Sequence, residues 1–186
     1  MAELILVTGG ARSGKSSLAE KMAAEKSGSV LYVATAVAFD DEMRDRIAKH
    51  QQSRPQHWAT HEGYKGLDQV LAGKANAYEV VLLDCVTVMI TNLMWDYPGM
   101  DFENPTPESL NQVEKEIKEE FERFLEAAKD YQGTLIMVTN ELGSGLVPEN
   151  PISRGFRDIA GRVNQLLGAH SQQVYLTVCG IPMKIK

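Results

Sequence analysis

The chain has 186 residues, enough for one domain with a sizeable core and without a visible internal repeat. Its composition, 44% hydrophobic and 24% charged, excludes a low-complexity or disordered chain, and no apolar run is long enough to cross a bilayer. The net charge is −6 and the basic residues are scattered, which excludes the basic stripe of a nucleic-acid binder and leaves small molecules as the phosphates to expect.

The chain enters a strand at once, without the basic start and apolar core of a signal peptide, so a cytoplasmic protein is expected. Residues 4–7 are apolar, the run breaks at Gly9-Gly10, and Ala11-Arg12-Ser13-Gly14-Lys15-Ser16 leads into a helix-forming segment over residues 17–25. A glycine, four free positions and Gly-Lys-Ser between a strand and a helix is the P-loop pattern. Chemistry accounts for each fixed position. Glycines let backbone N–H groups turn toward phosphate oxygens, and the helix N-terminus adds positive potential. Lys15 reaches the outer phosphates and the Ser16 hydroxyl is placed for Mg²⁺.

Residues 30–35 read as a buried strand, and the acidic Asp40-Asp41-Glu42 opens a helix that runs to about residue 53 before Pro55. At helical spacing Met43, Ile47, His50 and Arg54 share a face, with Arg46 beside them. By that pattern alone His50 is a packed or surface histidine. Residues 57–62 form a short strand that carries Glu62 to its end; by pattern Glu62 is a solvated carboxylate and His57 and His61 are surface residues. A short helix covers residues 67–72. Residues 78–84 form a hydrophobic strand ending in Asp84, the place of a Walker B carboxylate, which holds Mg²⁺ directly or through water.

A buried helix spans residues 86–95, and an exposed connection follows over residues 96–105. Thr106-Pro107 caps a helix with Leu110, Val113, Ile117, Phe121, Phe124 and Leu125 on its apolar stripe and Glu114, Lys115, Glu116, Lys118, Glu119 and Glu120 toward water. Residues 134–140 form another buried strand. Asn140 ends it and Glu141 follows, the two either lining a crevice at the carboxyl ends of the strands or capping a loop. Arg154, Arg157, Asp158 and Arg162 lie on the next helix, facing a phosphorylated ligand or paired on the surface. Residues 173–179 close the sheet. Cys85 and Cys179, each beside an apolar run, are expected as two buried free thiols. Strands alternating with helices imply an α/β, P-loop NTPase-type three-layer fold with a mostly parallel, doubly wound sheet in a single domain over residues 1–186.

The P-loop residues, joined to Asp40-Asp41-Glu42-Met43, Arg46-Ile47, His50, Arg54-Pro55 and Trp58, give the chain a specific resemblance. It resembles the bifunctional adenosylcobinamide kinase/adenosylcobinamide-phosphate guanylyltransferase family of cobalamin biosynthesis. Further matches are Leu83-Asp84-Cys85, Thr91-Asn92-Leu93, Val138-Thr139-Asn140-Glu141, Val147-Pro148-Glu149-Asn150 and the run from Phe156 to Gln165. The resemblance implies phosphoryl transfer from ATP or GTP to the aminopropanol hydroxyl of adenosylcobinamide. It also implies attack of His50 on the α-phosphorus of GTP, then transfer of GMP to adenosylcobinamide phosphate to give adenosylcobinamide-GDP. By the same resemblance Ala34, Thr35, Ala36, Gln51, Gln52, Ser53 and Arg54 lie against nucleotide, Glu62 meets its base or ribose, and Asp84 contacts metal or nucleotide. A homotrimer is the family's habit.

Two other readings compete. A small-metabolite P-loop kinase would leave His50 structural and form no enzyme-bound nucleotide. A nucleotide-driven switch or nucleic-acid motor is disfavoured by the acidic balance.

Overall fold

The computed structural model describes residues 2–38, 41, 44, 45, 48 and 55–186. In chain order these form β1 (Glu3–Gly9), α1 (Lys15–Lys26), β2 (Val30–Ala34), β3 (Ala59–Glu62), α2 (Leu67–Ala72) and a 3-10 turn (Lys74–Ala77). Then come β4 (Val80–Asp84), α3 (Val86–Trp95), α4 (Pro107–Ala128), β5 (Thr134–Val138), α5 (Pro151–His170), β6 (Gln173–Val178) and β7 (Ile181–Lys184). The described strands make one sheet in the order β3-β2-β4-β5-β1-β6-β7, parallel except for β7.

The alternation of side chains along a strand explains the layers. In β1, β2, β4 and β5 every second residue, including Leu4, Leu6, Leu31, Val33, Val81, Leu83, Leu135 and Met137, packs toward α2, α3, α4 and α5. Their neighbours Ile5, Val7, Val30, Tyr32, Val80, Leu82, Ile136 and Val138 pack with Ala19 and Ala23 of α1 and with Trp58. Strands covered on both faces read as unbroken apolar runs, which is why these four were legible. On α4 the predicted stripe is buried from Val113 to Leu125 and partly buried at Leu110, with Phe121 fully enclosed; burying a side chain of that size stabilises by about 1.5–3 kcal/mol. Its N-terminus is closed by Thr106, whose Oγ1 accepts the Ser109 N–H at 3.1 Å while Ser109 Oγ accepts the Thr106 N–H.

Three expectations change. A further strand follows residue 178; the sequence pattern hides it because Ile181-Pro182-Met183-Lys184 carries a proline, which an edge strand tolerates. Glu114 and Glu120 do not simply face water: Glu114 takes both nitrogens of an Arg162 fork, and Glu120 accepts the Gly66 N–H at 2.8 Å beside Arg123. Both thiols are free, but Cys179 is exposed, at the turn between β6 and β7, and only Cys85 is partly buried. Among the described residues no helix is long and apolar enough to cross a membrane.

Candidate functional site

Parallel strands end together, and the register shows which side chains that gathers. Ala34 pairs with Glu62 on one side and Asp84 on the other, Asp84 pairs with Val138, and Val138 pairs with Val7, two residues before Gly9. One edge of the sheet therefore carries the turn after β1, Ala34, Glu62 and Asp84. Four strand spacings separate β3 from β1 in this order, a crevice roughly 19 Å wide at about 4.8 Å per strand.

The turn after β1 is a tight cradle. Ser13 N donates to Gly10 O at 3.3 Å and Leu18 N to Gly14 O at 3.0 Å, starting α1 directly from the loop. Gly14 sits at φ +94°, a left-handed conformation that glycine adopts without steric cost. At Gly9 space decides: a Cβ there would stand 2.5 Å from the Thr177 carbonyl and 2.6 Å from Ser13 Oγ. The cradle is braced from outside, since Glu141 N donates to Gly9 O at 3.0 Å and Gly180 N to Ser13 O at 2.9 Å. Ser13 Oγ, Thr8 Oγ1 and Thr177 Oγ1 are buried there without a hydrogen-bond partner among the described residues. Ala11 and Arg12 are exposed on the loop and Ser16 is partly buried at the first turn of α1.

Lys15 is 9% exposed and its ammonium spans the loop to donate to Gly10 O at 3.1 Å. Burial lowers its pKa, and the neighbouring Cys85 and Asp84 oppose that shift. Asp84, partly buried at the end of β4, accepts the Tyr32 hydroxyl at 2.7 Å. The Cys85 thiol is pushed up to about 11, first by burial and then by the Asp84 carboxylate, so it carries no thiolate near neutrality. Thr35 is fully buried, its hydroxyl donating to Cys85 O at 2.8 Å and accepting Cys85 N at 2.9 Å. That clip joins the ends of β2 and β4, so Thr35 shapes the crevice wall with its side chain engaged inside. Ala36 is partly buried and Glu62 exposed. His61, half-buried on β3, has its pKa lowered by burial and then by Lys74, whereas His57 is exposed. His50, Gln51, Gln52, Ser53, Arg54 and Arg46 lie outside the described residues.

With this geometry in view, comparison with known proteins is decisive: the family described as cobinamide kinase / cobinamide phosphate guanyltransferase matches residues 5–185. The chain belongs to this family. It is similar to the bifunctional adenosylcobalamin biosynthesis protein CobU of Escherichia coli (strain K12), 48% identical over 183 residues that cover 98% of this chain and 99% of that protein. CobU of Salmonella typhimurium (strain LT2) is 43% identical over 183 residues, with the same coverage. The bifunctional adenosylcobalamin biosynthesis protein CobP of Pseudomonas aeruginosa is 40% identical over 181 residues, 97% of this chain and 96% of that one. The chain is thus a cobinamide kinase / cobinamide phosphate guanyltransferase enzyme by family.

In this cobinamide kinase / guanyltransferase chain a second set of polar contacts fixes the loop after β5. Asn140 N donates to Thr87 Oγ1 at 2.8 Å, Thr139 Oγ1 donates to Asn164 Oδ1 at 2.7 Å, and Asn164 Nδ2 donates to Asn140 O at 3.0 Å. Asn92 of α3 donates to Thr35 O at 2.7 Å. The Asn140 backbone is thereby held on both sides, and Glu141 caps its own loop by accepting Gly143 N at 2.7 Å. The arginines of α5 are committed elsewhere: Arg154 donates to Pro148 O and Glu149 O, Arg157 to Leu146 O, and Arg162 to Glu114. Sequence reasoning missed Tyr32 and Thr87, and quoted Asn92 and Asn164 only as family matches without a role. Their polar atoms sit in apolar or amphipathic patterns, and only a polar group at a buried position would have marked them.

Proposed function

We propose that this chain phosphorylates adenosylcobinamide on its aminopropanol hydroxyl with ATP or GTP, and then transfers GMP from GTP to the product through a guanylylated His50. The product is adenosylcobinamide-GDP, in assembly of the nucleotide loop of cobalamin. The observation that carries the reading is the family match along residues 5–185 joined to a Gly9–Ser16 cradle that holds a buried Lys15.

In the first reaction the substrate hydroxyl oxygen attacks the γ-phosphorus, the bond to the β-bridging oxygen breaks, and the nucleoside diphosphate leaves with its charge met by Lys15 and the loop N–H groups. The hydroxyl proton passes to solvent. In the second, a neutral His50 ring nitrogen attacks the α-phosphorus of GTP and pyrophosphate leaves. A phosphate oxygen of adenosylcobinamide phosphate then attacks that phosphorus, the P–N bond breaks, and His50 is restored. Arg46 and Arg54, four residues to either side in sequence, disfavour imidazolium and offset phosphate charge.

The donor set fits Mg²⁺: the Ser16 hydroxyl and the Asp84 carboxylate are hard oxygen ligands beside a cradle that only glycine at position 9 leaves open. When bound, the ion neutralises phosphate charge. In the same reading Gly9, Gly10, Ala11, Arg12, Ser13, Gly14, Lys15 and Ser16 hold phosphates. Ala34, Ala36, Gln51, Gln52, Ser53, Arg54 and Glu62 flank the nucleoside, while Thr35 fixes the wall from inside. The chain works as a single cytoplasmic domain and as a homo-oligomer, a trimer by family resemblance.

The test is to incubate the protein and His50→Ala with Mg²⁺, GTP labelled on the α-phosphate and, in parallel, corrinoid substrate. Label retained on denatured parent, lost in mild acid, stable in alkali and absent from the variant is the expected outcome. No label on well-folded parent with corrinoid present would leave phosphoryl transfer without nucleotidyl transfer, the small-metabolite kinase reading.

A further inference from the structure

We propose that Tyr32 is a positioning residue for the reaction, holding the Asp84 carboxylate by one oxygen so that the other is presented to the metal-bound nucleotide; this rests on the reading of Asp84 given above. Tyr32 lies in β2 opposite Leu82, and Asp84 is two residues further along β4. Such diagonal pairs share a face of the sheet and come within reach of an aromatic side chain. The ring is 1% exposed in the core packed against α1, and its hydroxyl emerges to donate to Asp84 Oδ2 at 2.7 Å. Burial of the ring would be served equally by phenylalanine. The hydroxyl is therefore the part that core packing leaves unexplained, and it donates to the carboxylate at the strand end.

A carboxylate on a strand end has free rotation about its terminal bond and four lone-pair sites. A phenol anchored in a rigid core removes that freedom, so the carboxylate is oriented before ligand arrives. Hydrogen-bonded partners of metal-ligating carboxylates act in this way, and their loss typically costs about 10–100-fold in metal affinity or activity.

The experiment is a double-mutant cycle of Tyr32→Phe and Asp84→Asn. The half-saturating Mg²⁺ concentration is read from the rise in melting temperature with saturating GTP, and independently from turnover. Expected for Tyr32→Phe is a half-saturating Mg²⁺ raised about 10-fold or more, a ligand-free melting temperature close to the parent's, and no further effect on the Asp84→Asn background. An Asp84→Asn shift with an unchanged Tyr32→Phe overturns the inference and leaves the reading of Asp84 standing. No shift in Asp84→Asn overturns both. Additive rather than coupled effects also overturn it, because a merely structural tyrosine would act without Asp84. If Tyr32→Phe melts lower than the parent, the cycle is read by turnover well below both melting points, with the same outcomes.

Discussion

Gly9 and Gly10 are adjacent and alike in sequence, yet the structure gives them opposite tolerance. A Cβ at Gly9 would lie 2.5 Å from Thr177 O, where ordinary contact begins at 3.4 Å, so β1 and β6 would have to part by close to 1 Å at this point. The obstacle is backbone within a paired register, Gly9 opposite Thr177, and cannot swing aside as a side chain would. Overpacking of this kind costs about 1–3 kcal/mol. In a chain of this length that lowers the melting temperature by about 2–4 °C per kcal/mol, so Gly9→Ala should melt roughly 2–12 °C below the parent. At Gly10 a Cβ meets nothing within 4 Å, and Gly10→Ala should melt within about a degree of the parent. Thermal melting of ligand-free proteins reads both, and calorimetric titration with GTP should show weakened binding for Gly9→Ala as the loop is pushed from Ser13. A Gly9→Ala variant as stable as the parent, or a Gly10→Ala variant equally destabilised, would refute the steric argument.

Two further outcomes follow from titration and exposure. Iodoacetamide at about pH 8 should modify Cys179, which is exposed, and spare Cys85, whose thiol is held near 11, until the protein is unfolded; peptide mass mapping that finds Cys85 alkylated in the native state would contradict this. Glu3 clips the opposite edge of the sheet, bonded by Lys26, by Thr134 Oγ1 at 3.1 Å and by Gln173 Nε2 at 2.7 Å. The Lys26 bond leads in holding its pKa below the ordinary 4.5. The folded value being the lower one, the stabilisation is present above 4.5 and fades as pH falls through the folded value. With both partners a third exposed, Glu3→Gln should cost only about 0.5–1 kcal/mol near neutrality, and urea titrations should find that difference shrinking away as the pH is taken down into the acid range below 4.5. A difference persisting there would show that packing rather than charge is responsible.

The chain by itself determined the phosphate loop, the parallel strands and the helix faces. Those depend on local matters: where glycine permits a turn, and how apolar residues repeat along a buried strand or an amphipathic helix. Asp84 was legible as a strand-end carboxylate, and Cys85 as a free thiol. Only tertiary structure decided which side chains share the crevice and which are spent on holding it, because strand order and register are set by contacts far apart in sequence. Tyr32 meets Asp84 across 52 residues, Arg162 is taken by Glu114 across 48, and Thr35 is closed against Cys85 across 50. Arg154 and Arg157, equally suited by type to bind phosphate, instead hold the loop before α5 through its carbonyls. A donor's partner is chosen by what folding brings within about 3 Å of it, and no periodicity in the sequence encodes that distance.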